Sequence, residues 1–435
     1  MARNASWLLA GQGANLVLRA LSFLFLARLL GVTEYGIFAG AFALVSTIAP
    51  YSDLGFGMLF MRYVSKDGAS AKSCWGNSLL ITGVTTVIIT VLAVLSGPFL
   101  TGAQSRMIFV ALTLGNCLFL QITIIASKAF QIYEKMRMTA LLRLTVNLGR
   151  LVAVLVLLVT VHRATAVQWA WASMWASAIA AVLALVWVGR EVGGMSFQPR
   201  LIVRRMWEGM QFSLAGSATT VYNDVDKAML GHYGFIQENG FYSLAYRIID
   251  VATAPIAALE MASLPRFFHL SRIGFRDVAR LLRKSVRTGV LMAAATAAFI
   301  VLSGPLIPHL VGKDFSGVIS ALRWLCWIPI FRSIHLLTGS ALTGSGHQGI
   351  RTSIQFGIAA LNIILNFLWI PRHGWVGAAA SSVISDGLLA VLYTAVFMGL
   401  SRKALQVRPS EAEPAVADPR EHELVSVQAE NGGGQ

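Results

Sequence analysis

The chain has 435 residues, 56% hydrophobic and only 13% charged, with a mean hydropathy of +0.66. Soluble domains carry about 25% charged residues, so this composition excludes a water-soluble fold and makes the bilayer the solvent. The formal net charge of +15 would suit a nucleic-acid partner in a soluble protein, but here the basic residues fall on alternate loops, and no nucleic acid is expected.

Apolar stretches near 20 residues long cross a hydrocarbon core of roughly 30 Å, and only closed backbone hydrogen bonding survives there. In chain order the predicted spans are 7–29, 36–60, 76–100, 107–131, 139–161 and 169–188, then 210–232, 241–264, 285–310, 318–343, 352–371 and 375–400. The fold class is therefore an all-α polytopic membrane protein with about twelve transmembrane helices. The first stretch outlasts a signal-peptide core and is read as a retained helix. Cys74, Cys117 and Cys326 are too far apart for a metal site or a disulfide framework.

One set of loops holds nearly all the basic residues, from Arg3 through Arg62, Lys72, Lys135, Arg190 and Arg204 to the run Arg266–Arg287, Arg351 and Arg402. The opposite loops offer Arg106, Arg163, Lys313 and Arg372. The positive-inside rule then places both termini in the cytoplasm. Arg272, Arg276, Arg280, Arg283 and Arg287 recur at helical spacing and predict an interfacial amphipathic helix on anionic membrane lipid.

Val94-Leu95-Ser96-Gly97-Pro98 recurs as Val301-Leu302-Ser303-Gly304-Pro305, and Leu30-Gly31 before Tyr35-Gly36 recurs as Leu230-Gly231 before Asn239-Gly240. Six is even, so repeats of six spans share one orientation and relate by a pseudo-two-fold axis along the membrane normal. The predicted organisation is a six-helix lobe at 1–190, a cytoplasmic linker at 191–209, a second six-helix lobe at 210–400 and a disordered cytoplasmic tail at 401–435. Two lobes rocking about a site between repeats give alternating access.

Ionisable residues inside spans cost about 2.5–3.5 kcal/mol each on insertion scales and mark function by default. Arg19 lies mid-span with no acid one turn away, and Arg143 and Arg150 share a helix face with Asn147. Unpaired cations in one stripe call for an anion, so Arg19, Arg143, Arg150 and Arg247 are the candidate substrate-binding residues. Asp53, Asp224, Asp226, Lys227, Asp250 and Asp386 are candidates for ion coupling or for a structural charge network. Arg332 and His335 are noted as further intramembrane charges.

No phosphate loop, zinc pair or nucleophile elbow occurs, and Gly312-Lys313 runs into Asp314. The expectation is a transporter, not an enzyme, without catalytic or metal residues and without a cofactor, a coupling proton or sodium ion being left open.

The run Ala27-Arg28-Leu29-Leu30-Gly31, Tyr35-Gly36-Ile37-Phe38, Asp53-Leu54-Gly55-Phe56-Gly57 and Arg62 resembles the start of the polysaccharide transporter family, the Wzx-type flippases of the multidrug/oligosaccharidyl-lipid/polysaccharide exporter superfamily. Asp226-Lys227-Ala228-Met229-Leu230-Gly231 with Gly240-Phe241-Tyr242-Ser243 and Arg247 is similar to its seventh and eighth spans. The resemblance implies a central cationic cavity that takes a polyprenyl-diphosphate-linked oligosaccharide at the cytoplasmic leaflet and releases it at the outer one, for surface polysaccharide or lipopolysaccharide biosynthesis. Partners would be the lipid-linked oligosaccharide, membrane lipids, a polysaccharide polymerase and glycosyltransferases. The alternative is a cation-coupled multidrug exporter of the same superfamily, whose cavity should be acidic or apolar.

Overall fold

The computed structural model describes residues 2–67, 70–103, 105–161 and 163–406, and every regular element among them is helical. In the first half these are α1 (Ala2–Ile48), α2 (Phe56–Asp67), α3 (Ala71–Thr101), α4 (Met107–Thr113), α5 (Leu120–Ile132), α6 (Met136–Thr160) and α7 (Ala166–Val192). The second half has α8 (Pro199–His232), α9 (Ile236–Ala252), α10 (Ala254–Ser271), α11 (Phe275–Ser303), α12 (Ile307–Val311), α13 (Gly317–Leu325), α14 (Ile328–Gly344), α15 (Gln348–His373) and α16 (Trp375–Gln406).

Helix occupies most of every predicted span, with turns at 52–55, 253 and 326–327. By length and apolarity alone, eight helices among the described residues can cross a membrane, or ten when the bent pairs Ile236–Ala252 with Ala254–Ser271 (41°) and Lys313–Leu325 with Ile328–Gly344 (45°) each count as one span. Two elements explain why this falls short of the expected twelve. Gly11–Ser65, 55 residues long, covers two expected spans. It is broken at Gly31, whose φ of 71° only glycine adopts without strain. α8 carries Asp224, Asp226 and Lys227 and is too polar to count.

Boundaries also shift. The predicted linker is helical from Pro199 onward, because α8 starts there and continues into the span. From Arg276 onward the basic run is not a separate interfacial helix but the first turns of α11, whose 29 residues extend about 44 Å and so project beyond the hydrocarbon core; Arg272 caps the end of α10. The expected tail continues α16 as far as Gln406, and its remainder lies outside the described residues.

α1 runs through the middle of the molecule and packs on α6 and α7 as well as on α8 and α9. Its second part crosses α9 at backbone contact. A Cβ on Gly36 would overlap the Ile236 carbonyl oxygen, and a Cβ on Gly240 would overlap the Val32 carbonyl oxygen. Each glycine thus meets the carbonyl one turn before its counterpart, the reciprocal contact that repeats related by a two-fold axis would make. The Asn239 amide ties the crossing by donating to the carbonyls of Gly36 (3.0 Å) and Lys227 (2.9 Å). At the other end Arg62 of α2 pairs with Glu208 of α8, which also accepts from the Tyr63 hydroxyl at 2.6 Å.

Candidate functional site

A cavity of about 500 Å³ opens between α1, α5, α6 and α7, and all four arginines singled out in the sequence line it. Arg19 comes from α1, Arg143 and Arg150 from α6, and Arg247 from α9. Among the described residues no carboxylate lines it; the other polar walls are Gln12, Asn15, Asn116, Asn147, hydroxyls and the Trp169 ring. Phe23, Leu26, Phe38 and Phe42 give one apolar side.

The arginines are held differently. Arg150 Nη2 donates to Asn116 Oδ1 at 3.0 Å and Ser177 Oγ at 3.3 Å, while its Nε is buried without an acceptor among the described residues. Leaving such a donor unfilled costs about 1–3 kcal/mol, which an anion in the cavity would return. Asn116 reaches this position from Leu114–Phe119, a π-helical turn between α4 and α5; such turns re-aim side chains inside an otherwise regular helix. Asn147 donates to Asn15 at 2.8 Å and locks α6 to α1, so the stripe carrying both α6 arginines has a fixed register. Arg19 and Arg143 have no ion-pair partner among the described residues.

Arg247 is the cavity's contribution from the second half. Its guanidinium stands between the Phe23 and Phe42 rings, at 5.3 and 5.6 Å, and pairs with Asp224 (3.7 Å) and Asp250 (3.5 Å). Both acids have a second cation: Lys227 lies 3.3 Å from Asp224, and Arg332 lies 3.0 Å from Asp250. Arg247 can therefore leave without stranding a buried carboxylate.

Behind Arg247 a charge network joins α8, α9, α14 and α16. Lys227 is 1% exposed, pairs with Asp226 at 3.1 Å, donates to the Asn223 carbonyl, and stands 3.9 Å over the Tyr246 ring. Asp226 also accepts from the Tyr242 hydroxyl at 2.5 Å. Asp386, fully buried, accepts from the Tyr222 hydroxyl at 2.7 Å and lies 3.0 Å from His335 Nε2 and 3.9 Å from Arg332. Removing one partner of a buried pair costs about 3–5 kcal/mol. Lys227→Met is accordingly expected to lower the thermal stability of the detergent-purified protein sharply, and Asp226→Asn added to it should restore part of the loss; a single variant as stable as the parent would contradict the network.

Asp53 belongs to neither cluster. Its oxygens accept from the amides of Gly55 and Gly57, both at 3.0 Å, and so cap the start of α2. It forms no ion pair with the cavity arginines, so the expected place in an ion-coupling or charge network is not the one it takes. The sequence reading missed Asn116 and Ser177, which look like ordinary polar residues in apolar helices, and the tyrosines of the network. Arg332 and His335 were visible as intramembrane charges, but their partners, being far away in sequence, were not.

The family described as polysaccharide biosynthesis protein matches residues 1–271. A protein of Escherichia coli (strain K12) named for O-antigen transport is 20% identical over 402 residues, spanning 90% of this chain and 95% of its own length. Agl15 of Haloferax volcanii, named as a flippase of low-salt glycan biosynthesis, is 23% identical over 174 residues, 40% of this chain and 37% of its own. Among solved structures, an inward-facing multidrug resistance transporter of the MATE family in the MOP superfamily superposes with a TM-score of 0.75 at 15% identity, covering 90% of this chain and 96% of its own. The lipid II flippase MurJ, inward closed, gives 0.71 at 13%, covering 92% and 90%. The fold is that of MOP-superfamily transporters, and the chain belongs to the polysaccharide biosynthesis protein family.

Proposed function

We propose that this protein is a flippase that carries a polyprenyl-diphosphate-linked oligosaccharide from the cytoplasmic to the outer leaflet by alternating access. The observation that carries the reading is a cavity lined by four arginines and, among the described residues, by no carboxylate. A diphosphate leaving water needs guanidinium forks, and the buried Arg150 Nε and the releasable Arg247 supply donors that no protein acceptor fully occupies. A cationic drug would meet four like charges there. The relatives named for O-antigen transport and for glycan flipping favour the same cargo class.

On the basic-loop topology the N-terminal part of α1 lies toward the cytoplasm, so the cavity faces the side where a lipid-linked sugar would be loaded, and the Gly36–Gly240 crossing closes the outer side. When the diphosphate draws Arg247 from Asp224 and Asp250, the cargo becomes coupled to the network of the second half. Within that network the His335–Asp386 pair is the place for a coupling proton, since it joins an imidazole to a carboxylate out of contact with solvent. The polyprenyl tail stays in lipid, and only the head group needs the polar route. An inside-negative potential would favour outward movement of an uncompensated anion by about 2.3 kcal/mol per charge per 100 mV.

The test is one preparation in liposomes given two cargoes. A polyprenyl-diphosphate sugar is expected to cross without ATP, whereas a cationic dye is not transported. Ion-driven dye efflux without movement of the sugar would overturn the flippase and establish the drug exporter.

A further inference from the structure

We infer a second binding site, separate from the cargo cavity, for one anionic membrane phospholipid in the groove between α11, α14 and α16. The groove has a volume of about 760 Å³ and shares no lining residue with the arginine cavity. Its wall is almost wholly apolar, with Phe331, Ile334, Val391 and Phe397 among its residues. Two cations interrupt that wall, Arg283 and Arg402, and neither has an ion-pair partner among the described residues. Arg280, the neighbouring basic residue of α11, is by contrast paired with Asp277 at 3.0 Å.

The helix directions bring the two cations to one end. Gly289 of α11 faces Ser333 and Leu337 of α14, and Gly387 of α16 faces Phe331 of the same helix. Phe275, at the start of α11, stacks near Phe397 of α16 at 5.1 Å. α11 therefore enters where α16 leaves. Side chains on a helix lean toward its N-terminus, so Arg283 leans out toward the start of α11 and Arg402 leans back into the groove. The lining of α16 extends from Gly387 to Arg402, about 22 Å at 1.5 Å per residue, longer than the roughly 15 Å half-thickness of a bilayer core. An acyl chain fits along the apolar wall with its phosphate on the arginine pair. Basic pockets between transmembrane helices on the cytoplasmic side bind anionic headgroups in this way. The occupant is a resident lipid rather than the cargo, since the groove has no shared wall with the cavity that would accept the sugar.

The test counts lipids retained on the full-length protein by native mass spectrometry after exchange into mixed micelles of phosphatidylglycerol and phosphatidylcholine. The expected result is preferential retention of phosphatidylglycerol, with one molecule fewer on Arg283→Gln/Arg402→Gln and also on Ala390→Trp, which fills the groove without changing charge. Arg19→Ala should retain the full number. Equal retention of the two lipids, or a glutamine double variant that keeps every phosphatidylglycerol, would overturn the proposal. So would loss on Ala390→Trp alone, which would make the occupant an uncharged chain.

Discussion

Replacing Arg150 with alanine is expected to cut export of surface polysaccharide by one to two orders of magnitude while leaving the protein in the membrane. Hydrogen bonds to charged groups contribute about 1.5–3 kcal/mol, and each 1.4 kcal/mol is tenfold. Arg150 is the cavity arginine fixed on both sides, by Asn116 and Ser177, with a further donor unfilled, so its geometry is set before cargo arrives. Lysine should retain part of the activity, because it keeps the charge and loses the planar fork. The measurement is surface polysaccharide per unit of membrane-extracted protein in cells lacking the native copy. Normal polysaccharide from a well-expressed Arg150→Ala protein would remove this residue from the anion site.

The second large effect belongs to the glycine crossing. Alanine or valine at Gly240 would drive a Cβ into the Val32 carbonyl oxygen, and the same change at Gly36 would strike that of Ile236. A Cβ has no rotamer, so only separation of α1 from α9 relieves the clash. Gly240→Val should favour states open at this level and reduce transport at least tenfold. Phe38 lines the cavity beside the crossing. In a background with Cys326 replaced by serine, a cysteine at 38 should become more reactive to an impermeant thiol reagent applied from outside when Gly240→Val is added. Unchanged labelling together with unchanged transport would show that the crossing need not close.

The fold was legible because apolar runs of bilayer length admit only helix among the spanning structures with this pattern. Less legible was continuity. Nothing in the basic run Arg272–Arg287 distinguishes a helix lying on the membrane from one rising out of it, since both present arginines at the same period; packing of Val278, Leu282 and Ser285 on the second-half core decides it. At the site, Arg143 and Arg150 could be grouped because they share one helix face. Their meeting with Arg19 and Arg247 in one cavity depends on how α1 and α9 cross α6, which is a long-range matter. Asp53 misled for a local reason: an acid two residues before a glycine turn satisfies backbone amides, and sequence alone does not separate that role from a charge aimed inward.

The arginine cavity draws Arg247 from the second half and its other charged residues from the first, whereas the buried acid–base network lies in the second. If the halves arose by duplication, they have since specialised, one as a holder and the other as an actuator. On the proposed function, new cargo preferences can then be acquired through substitutions on α1 and α6 alone, leaving the charge network of the second half unchanged.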